Sequence, residues 1–182
     1  VLTEKDIVVL SGSLASGFPK DWYVEIAKKL DEKNIQYVVD IATKRMLDIV
    51  EYHPLLVKPN EAELGDIFDA KITSVEECIE KAKELVSMGA KNVIVSRGGN
   101  GSILATKDGV WEATVPKRKV IDTVGAGDSM VAGFIYGIEK FNDTEKALIY
   151  GSACGSATAF SIGLAKKSEV EELLPLITVK KR

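Results

Sequence analysis

The sequence is poor in residues that cross-link, ligate metals or span membranes. Its two cysteines, Cys78 and Cys154, are too few and too far apart for a disulfide framework or a zinc site, and each falls in a helical pattern that suits a buried free thiol. The single histidine, His53, precedes Pro54 in a loop pattern, and no Ser/His/Asp arrangement can be built around it. Apolar segments are broken by charge or glycine well before membrane-spanning length, and no signal-peptide pattern is present, so no membrane partner is expected. An excess of basic charge is also missing. The formal net charge of -3 and pI near 5.4 speak against nucleic acid or an anionic membrane as partner, and Lys180-Lys181-Arg182 reads as a solvated end rather than a binding patch. A reducing cytoplasm fits this composition. The chain opens on Val1 rather than methionine, which suggests a processed chain or a fragment.

What is present suits one sizeable core: 182 residues, 46% hydrophobic and 28% charged, read as a single α/β domain over 1–182. Ile7 to Leu10 is a continuous apolar run that predicts a buried parallel strand, and a helix from Pro19 to about Lys33 and a second strand from Ile35 to Asp40 complete a βαβ unit. A short helix from Lys44 to Val50, a strand from Leu55 to Val57, an amphipathic helix from Ser74 to Met88 stopped by Gly89, and a strand from Val93 to Val95 continue the alternation. Ile103 to Ala105 and Val110 to Ala113 flank Asp108-Gly109, a hairpin signal that gives the sheet an antiparallel edge. Helices are expected over Asp128 to Phe141, Thr144 to Phe160 and Ser168 to Leu174, with Gly151, Ala153, Gly155 and Ala157 allowing close packing.

One stretch organises the chemistry: Asp122-Thr123-Val124-Gly125-Ala126-Gly127-Asp128-Ser129, followed by Met130, Val131, Ala132, Gly133 and Phe134. It reads as a tight loop opening into a buried helix, whose first N–H groups lack intrahelical partners and lie at the positive end of the peptide dipoles. Phosphate is the natural guest. Asp128 at the same end is either a simple cap or a base that receives a hydroxyl proton during phosphoryl transfer. A dinucleotide fingerprint fits poorly, because Met130 stands where a third glycine is wanted.

Other loops that follow strands should converge on the same sheet edge, where open α/β sheets bind ligands. The Ser11 to Gly17 loop has P-loop glycine spacing, but Phe18-Pro19 replaces the Lys-Ser/Thr pair, which excludes a Walker A site. Asn60 and Glu63, three apart at a helix start after Lys58, are a capping pair or ligands for the waters of a magnesium ion. Ser96-Arg97-Gly98-Gly99-Asn100-Gly101 is a turn or a backbone cradle for phosphate.

Taken in chain order, VKPNEAEL, VSRGGNGS and DTVGAGDSMVAGF resemble the ribokinase-like carbohydrate kinases of the phosphofructokinase B type, over nearly the whole chain. The run from Gly155 to Ser161 and the SGSLASG loop look most like the bacterial 1-phosphofructokinase branch. The resemblance implies a ribokinase-like, three-layer, Rossmann-like parallel sheet. It also implies that Asp128 is the catalytic base and that Gly125, Ala126 and Gly127 form the anion hole. ATP would be contacted by Ser96, Arg97, Gly98, Gly99, Asn100 and Gly101, with Gly127 and Lys58; Mg2+ would be served by Asn60 and Glu63; and Ser11, Gly12 and Ser13 would lie near the sugar with Asp128. Ala15 departs from the family pattern, where proline is frequent.

The implied reaction is phosphorylation of fructose 1-phosphate at its 6-hydroxyl by ATP, with tagatose 6-phosphate or fructose 6-phosphate as alternative substrates. A non-catalytic nucleotide-binding fragment is the reading from another class. The chain resembles the carboxyl-terminal part of such kinases, without the amino-terminal lid and first strands. Low activity of these residues alone is therefore expected, as is a homodimer that forms through the lid in the full-length protein.

Overall fold

Branched apolar residues without interruption become strands, and amphipathic stretches between caps become helices. The computed structural model describes residues 1–182 apart from Leu14, Ala15, Ala42 and Thr43. Its strands are β1 (Ile7–Ser11), β2 (Gln36–Asp40), β3 (Leu56–Val57), β4 (Asn92–Ser96), β5 (Ser102–Thr106), β6 (Gly109–Ala113) and β7 (Val179–Lys181). Helices are α1 (Trp22–Glu32), α2 (Met46–Val50), α3 (Glu61–Ile67), α4 (Val75–Met88), α5 (Ala126–Phe141), α6 (Thr144–Ala159) and α7 (Lys167–Leu173). The strands follow in the order β1 to β7 in one seven-stranded sheet. Pairing is parallel from β1 through β4 and antiparallel between β6 and β7.

The chain packs as two compact units, Val1–Val95 with Ala105–Val110, and Ser96–Leu104 with Trp111–Arg182. In the first, fully buried Val38, Val39, Leu56, Val57, Val93 and Ile94 form the centre of the parallel strands. Ile49, Leu64, Ala82 and Leu85 bring α2, α3 and α4 into the same core. Tyr37 is also buried there, its hydroxyl donating to the Tyr52 carbonyl at 2.7 Å. Both α3 and α4 start on full capping boxes, Asn60 with Glu63 and Ser74 with Glu77, which satisfy N–H groups a helix start leaves orphaned. The first helix begins later than Pro19 suggests. The Pro19 carbonyl accepts the Trp22 N–H at 3.0 Å, so the proline sits in the turn that leads into α1.

The second unit is built on α5 and α6, which meet through glycine. A Cβ on Gly133 would stand 2.6 Å from the Tyr150 carbonyl and 2.8 Å from Cys154 Sγ, and Gly137 lies directly against Ala147. From the other side, Gly151 faces the Met130 carbonyl and Gly155 faces the Ala126 carbonyl. The helices therefore approach backbone to backbone, nearer than leucine or valine would permit.

The tail is the main departure from the sequence expectation. Lys180 and Lys181 are solvent-exposed, as expected, but are not a free end: they form β7, with Glu112 opposite Lys180 and Ala113 opposite Val179, so the sheet edge beyond the hairpin belongs to β7. Lys181 lies over the Trp111 ring, 5.0 Å from its centroid, and Arg182 pairs with Glu112 at 2.8 Å. An edge strand with lysines on it resists further pairing, which explains why a charged segment can be a strand.

The glycine packing makes a test. Gly133→Ala should lower unfolding free energy by about 1–3 kcal/mol through overpacking. Gly99→Ala, where nothing lies within 4 Å of the new Cβ, should stay within about 0.5 kcal/mol. Denaturant unfolding checks both, and equal stability of the two variants would refute the packing account.

Candidate functional site

Each compact unit carries part of the candidate chemistry, just after β1, β3 and β4 and at the start of α5, which twelve residues separate from β6. In the first unit, Ser11 closes β1 and is in register with Asp40, which closes β2. The Gly12 N–H donates to the Asp40 carbonyl at 3.3 Å, and Tyr23 donates from its hydroxyl to the carbonyls of Ser11 and Gly12 at 3.2 and 3.3 Å. Those bonds fix the start of the expected sugar-side loop. Ser13 is exposed, and Leu14 and Ala15 of the same loop lie outside the described residues.

Lys58 follows β3. Its N–H bonds the Val39 carbonyl at 3.1 Å, and its ammonium pairs with the Asp40 carboxylate at 3.1 Å. The lysine side chain is only 6% exposed, so desolvation obliges it to keep a counter-charge. The structure thus brings Ser11, Gly12 and Lys58 together through Asp40, a residue the motif reading passed over. Its signal was a carboxylate ending an otherwise apolar strand.

Asn60 and Glu63 are held by each other. The Asn60 side chain accepts the Glu63 N–H at 2.9 Å, and Glu63 accepts the Asn60 N–H at 2.8 Å. The capping reading of the pair is therefore realised. Among the described residues no group of three or more His, Cys, Asp or Glu is placed to hold a metal ion. The donor set here is one carboxylate and one amide already ordered by the cap, which suits a magnesium ion that keeps its waters better than an ion needing a full protein cage.

In the second unit, the loop after β4 forms a short 3-10 turn, Gly98–Asn100. Much of its backbone is satisfied internally: Arg97 N–H donates to the Gly101 carbonyl at 2.9 Å, Asn100 N–H to Arg97 at 3.0 Å and Gly101 N–H to Gly98 at 3.1 Å. Among the described residues only the N–H groups of Gly98 and Gly99 in this turn have no acceptor, so the cradle is narrower than the glycine count suggests. Gly101 is required on two grounds, a φ of 85° and direct contact with the Ala113 carbonyl. The Arg97 guanidinium turns to Glu112 at 3.4 Å, the same carboxylate that Arg182 reaches.

The start of α5 is the other donor site, with Gly125, Ala126 and Gly127 half-buried and Asp128 exposed. Gly125 adopts φ 77° as its N-cap and provides no side-chain cap. Asp122 accepts the Val124 N–H at 3.0 Å and the Thr123 carbonyl accepts the Ala126 N–H at 3.1 Å, which shapes the turn. Among the described residues nothing accepts the N–H groups of Gly127 and Asp128, and the Asp128 carboxylate is exposed without an ion-pair partner. Uncapped donors and a free carboxylate within one helical turn can bind an anion and take a proton beside it. Cys154, on α6 behind Gly133, is only partly covered, and burial raises its thiol above the usual range, which leaves it inert. His53 bonds Asp31 at 3.3 Å on the surface, as the sequence reading expected of a histidine without a catalytic role.

The model of the pfkB family carbohydrate kinases matches residues 1–171. The 1-phosphofructokinase of Bacillus subtilis (strain 168) is 47% identical over 178 residues, covering 98% of this chain and 59% of that protein. The D-tagatose-1-phosphate kinase of Bacillus licheniformis is 39% identical over 171 residues, 93% of this chain and 56% of that protein. A crystal structure of Escherichia coli phosphofructokinase-2 in complex with substrates and products superimposes with TM-score 0.89 at 28% identity, covering 96% of this chain and 58% of that one. The chain therefore spans rather more than half the length of these relatives. The α/β fold with a mixed seven-stranded sheet is of the ribokinase-like kind expected.

The ion pair beneath the first-unit loops can be tested without any ligand. A double-mutant cycle with Lys58→Met and Asp40→Asn should give a coupling of about 1–3 kcal/mol in unfolding free energy. Strictly additive effects would mean that the two side chains do not depend on each other.

Proposed function

Because the chain belongs to the pfkB family of carbohydrate kinases, we propose that it transfers the γ-phosphoryl group of ATP to the 6-hydroxyl of fructose 1-phosphate, giving fructose 1,6-bisphosphate and ADP. The observation that carries this reading is the start of α5, where the unbonded N–H groups of Gly127 and Asp128 stand beside the free Asp128 carboxylate. Phosphoryl transfer through a loose transition state needs positioning and charge stabilisation more than a strong base. The 6-hydroxyl oxygen bonds to the γ-phosphorus while the bond from that phosphorus to the β,γ-bridging oxygen breaks. Asp128 takes the hydroxyl proton late, once the oxygen has begun to bond phosphorus, so an ordinary carboxylate suffices. Of the expected anion hole, Gly127 acts through its free N–H together with that of Asp128, meeting the charge on the transferred group's oxygens, while Gly125 and Ala126 shape the turn, the Ala126 N–H being held by the Thr123 carbonyl.

Lys58 is assigned to the ATP phosphates, with Asp40 as its counter-ion until they arrive. Gly98 and Gly99 supply the free N–H groups of the 96–101 loop. Asn60 and Glu63 are the residues that would hold hydrated Mg2+, whose contribution when bound is to neutralise phosphate charge. Ser11, Gly12 and Ser13 are assigned to the sugar side. Support for fructose 1-phosphate comes from the Bacillus subtilis relative, and the Bacillus licheniformis relative makes tagatose 1-phosphate the second reading.

Asp128→Asn should lower kcat at least about a hundredfold while ATP affinity, read by calorimetry, changes little. A coupled assay across fructose 1-phosphate, tagatose 1-phosphate, fructose 6-phosphate and tagatose 6-phosphate identifies the acceptor. Near-normal turnover of the variant would remove Asp128 from its role, and nucleotide binding with no turnover of any acceptor by the parent protein would leave a binding module.

A further inference from the structure

The face of α6 that meets α5 needs small residues and little else, and Ala147, Gly151 and Gly155 supply them, all buried. Thr158 breaks that rule. It is 1% exposed, and its hydroxyl is fully engaged, donating to Ser129 Oγ at 2.8 Å and accepting the Ala165 N–H at 3.2 Å. Alanine would satisfy the packing, whereas a buried hydroxyl is tolerated only through the bonds it makes.

Those bonds join two segments. Ser129 follows Asp128 in the first turn of α5, and Ala165 lies in the loop after α6. The same loop sets Leu164 against Gly125, its Cδ2 2.8 Å from where a Cβ would stand, with Thr158 Cγ2 4.0 Å from that point. Next to Thr158, the Ala159 carbonyl accepts the N–H groups of Ile121 and Asp122 at 2.8 and 3.3 Å, anchoring the chain as it enters the 122–125 turn. Two adjacent residues of α6 thus hold the turn before α5, the first turn of α5 and the 161–165 loop.

We infer that Thr158 is a positioning residue, which fixes the Gly125–Asp128 turn in register with the 161–165 loop through Ser129 and Ala165. Its kinetic consequence rests on the phosphoryl-transfer reading of that turn; the physical coupling does not. Removing the hydroxyl leaves the Ala165 N–H without an acceptor and releases Ser129, so the two segments loosen together. The first-turn donors then lose their aim, and transfer slows while sugar binding is left alone.

Thr158→Val keeps the shape and removes the hydroxyl, and Thr158→Ser keeps the hydroxyl. Ser129→Ala, from the half-buried end of the bond, is the second route to the same break should the valine variant fold poorly. Hydrogen exchange of the backbone amides should accelerate in residues 125–129 and 161–165 together in Thr158→Val and in Ser129→Ala, and return to the parent pattern in Thr158→Ser. In parallel kcat should fall about tenfold, with KM for the sugar phosphate within about twofold and with Thr158→Ser restoring the rate. Unchanged exchange, acceleration confined to one segment, or unchanged kcat in an active protein each overturns the inference. If the parent protein turns over no sugar phosphate, the kinase reading fails, and the exchange result alone decides the role of Thr158.

Discussion

The near approach of α5 to α6 is the constraint on which the second unit depends. Helices at this range must give up side chains at the contact, and the chain does so from both sides, with Gly133 and Gly137 on one helix and Gly151 and Gly155 on the other. Gly155 faces the Ala126 carbonyl, so the packing reaches the first residue of α5 and fixes where that helix begins. A helix start fixed by its own backbone needs no side-chain cap to hold it. Gly125 accordingly provides none, and the Gly127 and Asp128 N–H groups that a cap would have taken have no acceptor among the described residues.

The starts of α3, α4 and α6 show the contrast, whereas α1 and α2, like α5, have no side-chain cap. In α3 and α4 the capping boxes satisfy first-turn donors from within the helix, and α6 is capped by Asp143, which accepts the Lys146 N–H at 3.0 Å. Stability and ligand binding make opposite demands on the same N–H groups. The chain meets the first demand at α3, α4 and α6 and leaves the second open at α5. Asn60 and Glu63 stand between these cases, because a capping pair that orders one amide and one carboxylate can serve the waters of an ion without losing its structural bonds.

Much of this was legible in the sequence, for identifiable reasons. Asn60, Ser74 and Gly89 act through bonds to residues three or four away, so local pattern reveals them. Asp108-Gly109 sets a hairpin by its own turn chemistry, and the Gly125-Ala126-Gly127-Asp128 run announces a helix start. The residues that escaped notice act at long range. Lys180 and Lys181 are a strand only because β6 lies opposite, Asp40 gains its role from a lysine eighteen positions on, and Thr158 is one more small residue until Ser129 and Ala165 are seen beside it. The 96–101 loop erred the other way: its glycines suggest many free donors, but bonds within the turn occupy three of them.

Under the proposed function, the start of α5 supports transfer of a phosphoryl group from ATP to a sugar phosphate. Phosphorus NMR of the protein with ATP, Mg2+ and fructose 1-phosphate observes that event directly. The γ-phosphorus signal should be replaced by that of a sugar phosphate ester at carbon 6, in step with ADP. ADP with inorganic phosphate alone, or ATP left unchanged, would contradict it.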